Sequence, residues 1–395
     1  MTITDDTATS TAALDAAQAL VPRLRERAAQ TTLDRRLPKE TVDDLVESGA
    51  LKTIQAKRNG GHGLGMRDHL NVISTLARGC GSTAWVSGVV HAHSWLLSHF
   101  PEQAQDEIYG TNPSAVVSAV IGPRGKAKRT ADGFVLTGVW PFASGSERAD
   151  WLLLGASVVD DEGTVSDEGD FAIPTSEVTF HDDWFVVGLA GTGSCSVSVD
   201  GLAVPEHRFL SLPALIQGNS PGMSLHDSWV PRCAPVPVLA LALTGGAIGL
   251  ARQALDDFPS LITGKPIAYA SGIKDQHPLT HSDLAEAVML IDAGVMLLYR
   301  TADELDAAGR EGRELDLKTR ARMRLDCAQG VHHCLDGVQI LFELSGATGL
   351  RTSSPLTRAL ADLQAINHHG LLDLRTNREM YGRIHLGLEP NTPLI

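Results

Sequence analysis

The sequence predicts an α+β chain in three parts: a helical N-terminal domain over 1–112, a central β-domain over 113–211 and a C-terminal helical bundle over 212–395. Three observations carry this. Apolar residues first recur at helical spacing, short β-rich runs separated by turn signals follow, and long helical periodicity then returns to the end of the chain. At 395 residues the chain is too long for one simple core, so a division into two or three domains is expected.

Leu14, Ala17, Leu20, Val21 and Leu24 give an amphipathic helix over 12–29, and Pro38 opens a second helix that Gly49 ends. Gly60-Gly61-His62-Gly63-Leu64-Gly65 follows no predicted strand, so it reads as a loop and not as a dinucleotide fingerprint. Helices are expected over 67–78 and 82–99, then strands over 116–121, 134–139, 151–154, 171–174 and 194–199. Asp132-Gly133 and Asp200-Gly201 read as turns, and short strands between two helical blocks predict a small barrel or sandwich. After a loop rich in Gly, Ser and Pro over 212–237 come helices over 239–258, 281–308, 315–346 and 355–369, long enough for a bundle.

The balance of 33 basic against 47 acidic residues gives a net charge of −14, which argues against nucleic acid because phosphate contact needs clustered Lys and Arg. The stretch from Met1 to Thr11 has neither a basic nor an apolar segment of the kind that targets a chain for export. No uninterrupted apolar run approaches the ~18 residues of a membrane span. Five cysteines without C-x-x-C spacing read as reduced cytoplasmic thiols, so a cytoplasmic location is expected. His332-His333-Cys334 invites a metal, but neighbouring helical side chains diverge by about 100°, and no metal is expected there.

The chemistry concentrates at Trp140-Pro141-Phe142-Ala143-Ser144-Gly145-Ser146, followed by Trp151. A strand ends and turns a corner here. Gly145 frees the backbone, Ser144 and Ser146 offer hydroxyls, and Trp140, Phe142 and Trp151 offer flat faces to a planar ring such as an isoalloxazine. The same stretch also reads as a β-bulge whose aromatics are core.

W-x-F-x-S-G, together with Gly79-Cys80-Gly81-Ser82-Thr83-Ala84-Trp85 upstream and Gly188-Leu189-Ala190-Gly191-Thr192-Gly193-Ser194 downstream, resembles the oxygenase components of two-component flavin monooxygenases. That group shares the acyl-CoA dehydrogenase fold and includes 4-hydroxyphenylacetate 3-hydroxylase oxygenase and the hydroxylase of steroid-derived phenols. The likeness runs from about Leu24 to the C-terminus, and the small-residue segment Gly245 to Ala251 is similar to the third domain of that fold.

The resemblance implies an activity and its residues. Reduced flavin, FADH2 or FMNH2, would arrive from a separate NAD(P)H-flavin reductase and react with O2 through a C4a-hydroperoxyflavin. That species would hydroxylate a small phenolic, polycyclic or indolic substrate. His369, seven residues after Asp362, matches the histidine beside flavin C4a, and Ser144 matches the serine near N5, where a hydroxyl accepts or donates a hydrogen bond. His93 matches the histidine that touches the substrate hydroxyl, with Ser118 as a second polar contact. Trp140, Phe142, Gly191, Thr192, Gly193 and Ser194 would hold flavin, while Trp85 and Trp229 would line the substrate pocket. Trp85 and His93, eight residues apart on a helix, share roughly one face. Met223 and His226 are expected to line the pocket beside Trp229. Departures from the pattern stand at Ala190 and Ala361, where the family has Arg, and at Cys195, where it has Asn. Family members are typically homotetramers through the C-terminal bundle.

Two rival activities use the same fold. An acyl-CoA dehydrogenase needs a buried carboxylate base, in that family eight residues after an R-D motif, and here Gly370 stands in that place. The other site for the base corresponds to Pro235–Ala240, which holds no acid. An N- or S-oxygenase is the second rival, and a non-enzymatic binding module a third.

Overall fold

The computed structural model describes residues 3–395, with side chains from residue 6 onward. Of the N-terminal stretch weighed above, Met1 and Thr2 lie outside the described residues, and Ile3 to Thr11 belong to the first helix. The helices before the sheet are α1 (Ile3–Asp34), α2 (Lys39–Glu47), α3 (Met66–Ala77), α4 (Gly81–Leu97) and α5 (Glu102–Tyr109). The strands are β1 (Val117–Thr130), β2 (Gly133–Trp140), β3 (Trp151–Val159), β4 (Val165–Pro174), β5 (Thr179–His181), β6 (Ser196–Pro205) and β7 (Phe209–Ser211). Then come α6 (Leu212–Ile216), α7 (Pro235–Ala242), α8 (Gly245–Ile262), α9 (Pro278–Glu311), α10 (Leu317–Ser345), α11 (Pro355–Asn367) and α12 (Leu374–His385).

The elements absent from the sequence reading, α5, α6, α12, β5 and β7, are either short or largely polar, which leaves too few apolar repeats to show a period. The helix expected over 239–258 is two helices, α7 and α8, broken at Leu243-Thr244. Their joint span Pro235–Ile262 is apolar enough on average to cross a membrane, yet 78% of its most apolar window is buried inside the protein. Its apolar character is that of a core helix.

Helices from both ends of the chain share one apolar core, which α3 crosses between α1, α4 and α8. Its N-cap, Gly65, has no side chain to satisfy the first N–H groups. The buried carboxylate of Asp306 on α9 does so instead, accepting from Met66 N–H at 2.7 Å and Arg67 N–H at 3.2 Å. Burial pushes Asp306 up to about 6 against the pull of those two N–H groups.

The strands form one seven-stranded sheet in the order β5-β6-β2-β1-β3-β4-β7, antiparallel except for β1 with β3. The barrel or sandwich expected from the sequence is thus a single curled sheet with edges at β5 and β7. Phe134 on β2 and Phe171 on β4 have β1 and β3 between them, which in a flat sheet would hold them about 14 Å apart. Their rings lie 5.1 Å apart, and Phe209 of β7 packs on both, so the sheet rolls around its own aromatic core. Asp132 falls in the β1–β2 hairpin as expected, but Asp200-Gly201 ends no strand: β6 runs through it, with a register shift against β2 between Leu136 and Gly138.

Trp140 belongs to this inner core, which corrects its assignment to flavin. It is fully buried, and its indole N–H donates to Gly155 O at 2.6 Å. The ring lies where side chains on Gly125 and Gly138 would be, since a Cβ on Gly125 would come within 2.3 Å of it. Trp140→Phe should therefore lower stability by about 1–3 kcal/mol, from a void and an orphaned carbonyl, and leave flavin affinity within about twofold. Thermal melts and flavin titrations read the two effects separately.

Candidate functional site

Every residue of α4 is buried, because the helix runs between the sheet, α3, α7 and α8. Its polar side chains must find partners inside the protein. His91 donates from Nε2 to Ala50 O at 2.7 Å and meets Nδ1 of His69 at 2.9 Å, while Nε2 of His69 lies 3.1 Å from Ala242 O. These contacts tie α4 to α3 and to the end of α7. Trp85 and His93 turn to the other side, toward β1 and the corner after β2, as their spacing predicts.

The corner is built on two positive-φ residues, Phe142 at +67° and Gly145 at +71°. A Cβ at Gly145 would come within 2.7 Å of Val86 on α4, so the turn also needs glycine for space. Backbone bonds knit the corner to the loop after β5: Ala143 N–H donates to Cys195 O and Gly145 N–H to Thr192 O. Between them the hydroxyls make a line. Trp85 Nε1–H donates to Ser144 Oγ at 3.1 Å, Ser144 Oγ meets Ser194 Oγ at 2.7 Å, and Ser194 Oγ meets Thr192 Oγ1 at 2.7 Å. Thr192 Oγ1–H donates to Leu189 O at 2.7 Å.

Leu189, itself at φ +53°, is held by the buried carboxylate of Asp362 on α11, which accepts its N–H at 2.6 Å. Burial raises Asp362 to about 6. Seven residues on, His369 packs its ring 5.7 Å from that of Trp85 and accepts Leu371 N–H at Nδ1. Burial lowers His369 to about 4, so the ring is neutral near pH 7 and, with Nδ1 accepting, carries its proton on Nε2. His368 is exposed and donates to Gln364 O, facing away from the corner.

His93 has the opposite polarity. Its Nδ1 lies 3.2 Å from Val117 O, an acceptor only, so Nδ1 carries the hydrogen and Nε2 presents a lone pair with no partner among the described residues. Burial lowers it to about 4, which keeps that lone pair free near neutral pH. Ser118 is fully buried and donates to Ser144 O at 2.7 Å, so its proton holds the corner and is unavailable to a substrate.

Several other assignments change. Of the three flat faces, Phe142 alone stays open, 65% exposed with its ring edge-on to Trp184, whereas Trp151 lies under the Arg208 guanidinium. Thr192 and Ser194 are buried and their hydroxyls are spent within the line, so they do not reach outward to a phosphate; Gly191 is packed against Thr31 of α1. Gly193, at φ +55°, lies beside Arg35 and Arg36. Trp229 rests on Gly309 under Arg310, 4.4 Å from the guanidinium carbon, and no ring contact or hydrogen bond joins it to this cluster. His226 donates to Ser98 O at 2.9 Å and His99 Nδ1 meets Ser220 Oγ at 2.8 Å, so the 212–237 loop is pinned to the end of α4 by its polar side chains. The sequence reading missed the structural parts played by Leu189, Asp362 and the Val117 carbonyl. Leu189 lies in the motif from Gly188 to Ser194 and Asp362 in the one before His369, whereas the Val117 carbonyl had no signal.

Open clefts of about 590 and 700 Å³ lie by α5 and the β7 end, lined by residues such as Gln103 and His207, and share no residue with this cluster. The cluster itself fits a reduced flavin by its donor set. Ser144 keeps an acceptor position and His369 a donor on either side of the Trp85 indole, which suits a ring edge that offers N–H next to an oxygen-bearing carbon.

Domain families described as the N-terminal and C-terminal domains of acyl-CoA dehydrogenase match residues 7–111 and 241–374. The flavin-dependent monooxygenase oxygenase subunit HsaA of Mycobacterium tuberculosis is 32% identical over 387 residues, 95% of each chain. The chain belongs to the oxygenase components of flavin-dependent monooxygenases. The crystal structure of HsaA superposes on this oxygenase with a TM-score of 0.92 at 31% identity, covering 98% of this chain and 100% of that one. The oxygenase component of an FADH2-dependent resorcinol hydroxylase from Rhizobium sp. is 32% identical over 93% of this chain and 92% of its own. XiaF from Streptomyces sp., solved with FADH2 and glycerol, has a TM-score of 0.91 at 28% identity, covering 99% and 98%. As an oxygenase component, the enzyme uses reduced flavin and works with a separate reductase.

The buried His91, His93 and His99 and the half-buried His369 should weigh on the acid stability of this oxygenase. His91, His93 and His369 lie at about 4 and His99 at about 3, below the ordinary 6.5, all through burial. The unfolded chain therefore binds more protons than the folded one between about pH 6.5 and 4. Their contribution is present above that window and lost as pH falls through it. Burial also lowers His69 well below the ordinary value, while Asp170, Asp306 and Asp362, raised by burial, act in the opposite sense but are outnumbered by these imidazoles. Melting temperature should fall from pH 7 to pH 4.5, and His99→Gln should flatten the slope.

Proposed function

We propose that the enzyme hydroxylates the ring of a small aromatic substrate bearing a hydroxyl or an indole N–H, and that its reductase draws on NAD(P)H. The observation that carries this is the bare Nε2 lone pair of His93, buried and held in one tautomer by Val117 O. Such a base accepts a hydrogen bond from a phenol or indole and pushes electron density into the ring, which a sulfur or amine substrate would not need. The names of HsaA's fellow oxygenases support the aromatic class, and resorcinol hydroxylase and XiaF favour FADH2 over FMNH2.

Bound reduced flavin supplies the electrons that let dioxygen give one oxygen atom to the substrate and one to water. The chain's own groups do the rest. Phe142 would offer an open aromatic face to the flavin ring, Ser144 would accept a hydrogen bond from its edge, and His369 would present its Nε2–H to the side where dioxygen reacts. Trp85 separates the two polar groups and excludes water, as buried α4 does along its length.

Two further parts of the reading rest on surface and thiols. We infer a homotetramer assembled through the C-terminal bundle, supported by Met289 and Met296, both about 70% exposed and two turns apart on one face of α9. Five buried free cysteines support a cytoplasmic location.

The deciding experiment mixes anaerobic enzyme and reduced flavin rapidly with oxygenated buffer. A long-lived absorbance transient before reoxidation, shortened by phenols or indoles that become hydroxylated, is the expected result; immediate reoxidation with every candidate would sink the proposal. In His93→Ala, oxygen uptake should continue while product falls by roughly 10²-fold or more and hydrogen peroxide takes its place, as measured by coupled peroxide and product assays. Met296→Asp should lower the solution mass measured by light scattering.

A further inference from the structure

We propose that Thr192, which reaches the outside of the site only through two other hydroxyls, decides which redox state of flavin the enzyme holds. The inference rests on the flavin reading above and on proton counting along the hydroxyl line. A hydroxyl has one hydrogen to give. Leu189 O can only accept, so at 2.7 Å the hydrogen between it and Thr192 Oγ1 must be that of Thr192. Thr192 then has none left for Ser194, so Ser194 donates to Thr192 across their 2.7 Å contact. Ser194 in turn has none left for Ser144, so Ser144 donates to Ser194. Trp85 Nε1 can only donate, and it fills one acceptor position of Ser144 from the other side.

Thr192 and Ser194, which set the direction of the line, are 1% and 4% exposed and so are sealed from bulk water, and Ser144 is the end that faces the site. The line has one direction, fixed at its far end by a carbonyl that Asp362 holds in place through Leu189 N–H. Ser144 is left with no hydrogen to offer and one acceptor position.

That polarity matters because N5 of a flavin changes character on reduction. The reduced ring carries N5–H, a donor that suits Ser144, whereas the oxidised ring presents a lone pair there, which would face the lone pair of Ser144. Opposing two acceptors in a dry site is unfavourable enough to discriminate strongly. Thr192 is thus a positioning residue, and its effect is exerted through Ser194 and Ser144.

The test compares dissociation constants for oxidised and anaerobically reduced FAD in wild type, Thr192→Val, Thr192→Ser and Ser194→Ala, with melting temperatures as a check on folding. Valine keeps the shape and removes the hydroxyl, and Leu189 O still accepts Thr192 N–H and Trp184 Nε1–H. Ser194 is then free to donate to Ser144, whose own hydrogen turns outward. The wild type should favour reduced FAD, and the ratio of the two constants should fall about tenfold or more in Thr192→Val, chiefly through tighter binding of oxidised FAD. Thr192→Ser should keep the wild-type ratio. Ser194→Ala removes the acceptor of the Ser144 hydrogen and should lower the ratio as well, which keeps the idea testable if the valine variant does not fold. A wild-type preference that persists unchanged in folded Thr192→Val and Ser194→Ala overturns the role of the line alone. A wild type that does not bind reduced flavin overturns the flavin reading and this inference with it.

Discussion

Helix α4 has no face toward solvent, and the rest of the molecule answers to that constraint. A helix carrying Ser, Thr, two His and two Trp inside a protein is costly unless every polar atom is matched, because each orphan forfeits about 1–3 kcal/mol. Matching most of them is what builds the site, while Ser87 Oγ and His93 Nε2 on α4 are left without a partner among the described residues. His91 is consumed in holding α4 to His69 of α3 and to the Ala50 carbonyl after α2, while Trp95 donates to Val230 O and fastens the loop over the helix. Trp85 and His93, turned to the sheet, meet the corner after β2.

The corner is defined from the opposite side by the C-terminal bundle. Asp362 on α11 fixes Leu189, and His369 at the end of the same helix is set against Trp85. One helix therefore places both an anchor of the β-domain loop and the histidine that faces the site. A shift of α11 would move both together, which couples the integrity of the hydroxyl line to the position of His369. The arrangement also separates roles by polarity: His93 presents a lone pair, His369 an N–H and Ser144 an acceptor oxygen, each fixed by a backbone group that can bond in only one sense.

Much of this was legible in the chain, and the residues show where legibility stopped. The long helices and the principal strands follow from periodicity, and the pairing of Trp85 with His93 on one face follows from their spacing of eight. The resemblance carried by W-x-F-x-S-G brought out Ser144, His369 and His93 together. It also misled. Trp140 sits in the same motif as Ser144, yet alternation along β2 turns its ring into the sheet core over Gly125 and Gly138. The resemblance also placed Trp229 in the substrate pocket, whereas its ring rests on Gly309 of α9 under Arg310. Thr192 and Ser194 looked like outward-facing ligands, and they are buried.

By itself the sequence determined the order of helical and β segments, the residue types at the corner and the lack of a carboxylate where a dehydrogenase base would stand, since all of these depend on local composition and spacing. Only the tertiary structure decided the sense of each hydrogen bond. Ser144 carries the same hydroxyl in any fold, able to give or to receive. What makes it an acceptor is a carbonyl 45 positions further along the chain, at Leu189, reached through two intervening hydroxyls and held by an aspartate from another domain. Hydrogen-bond direction is a property of the closed network, and no residue within it specifies that direction alone.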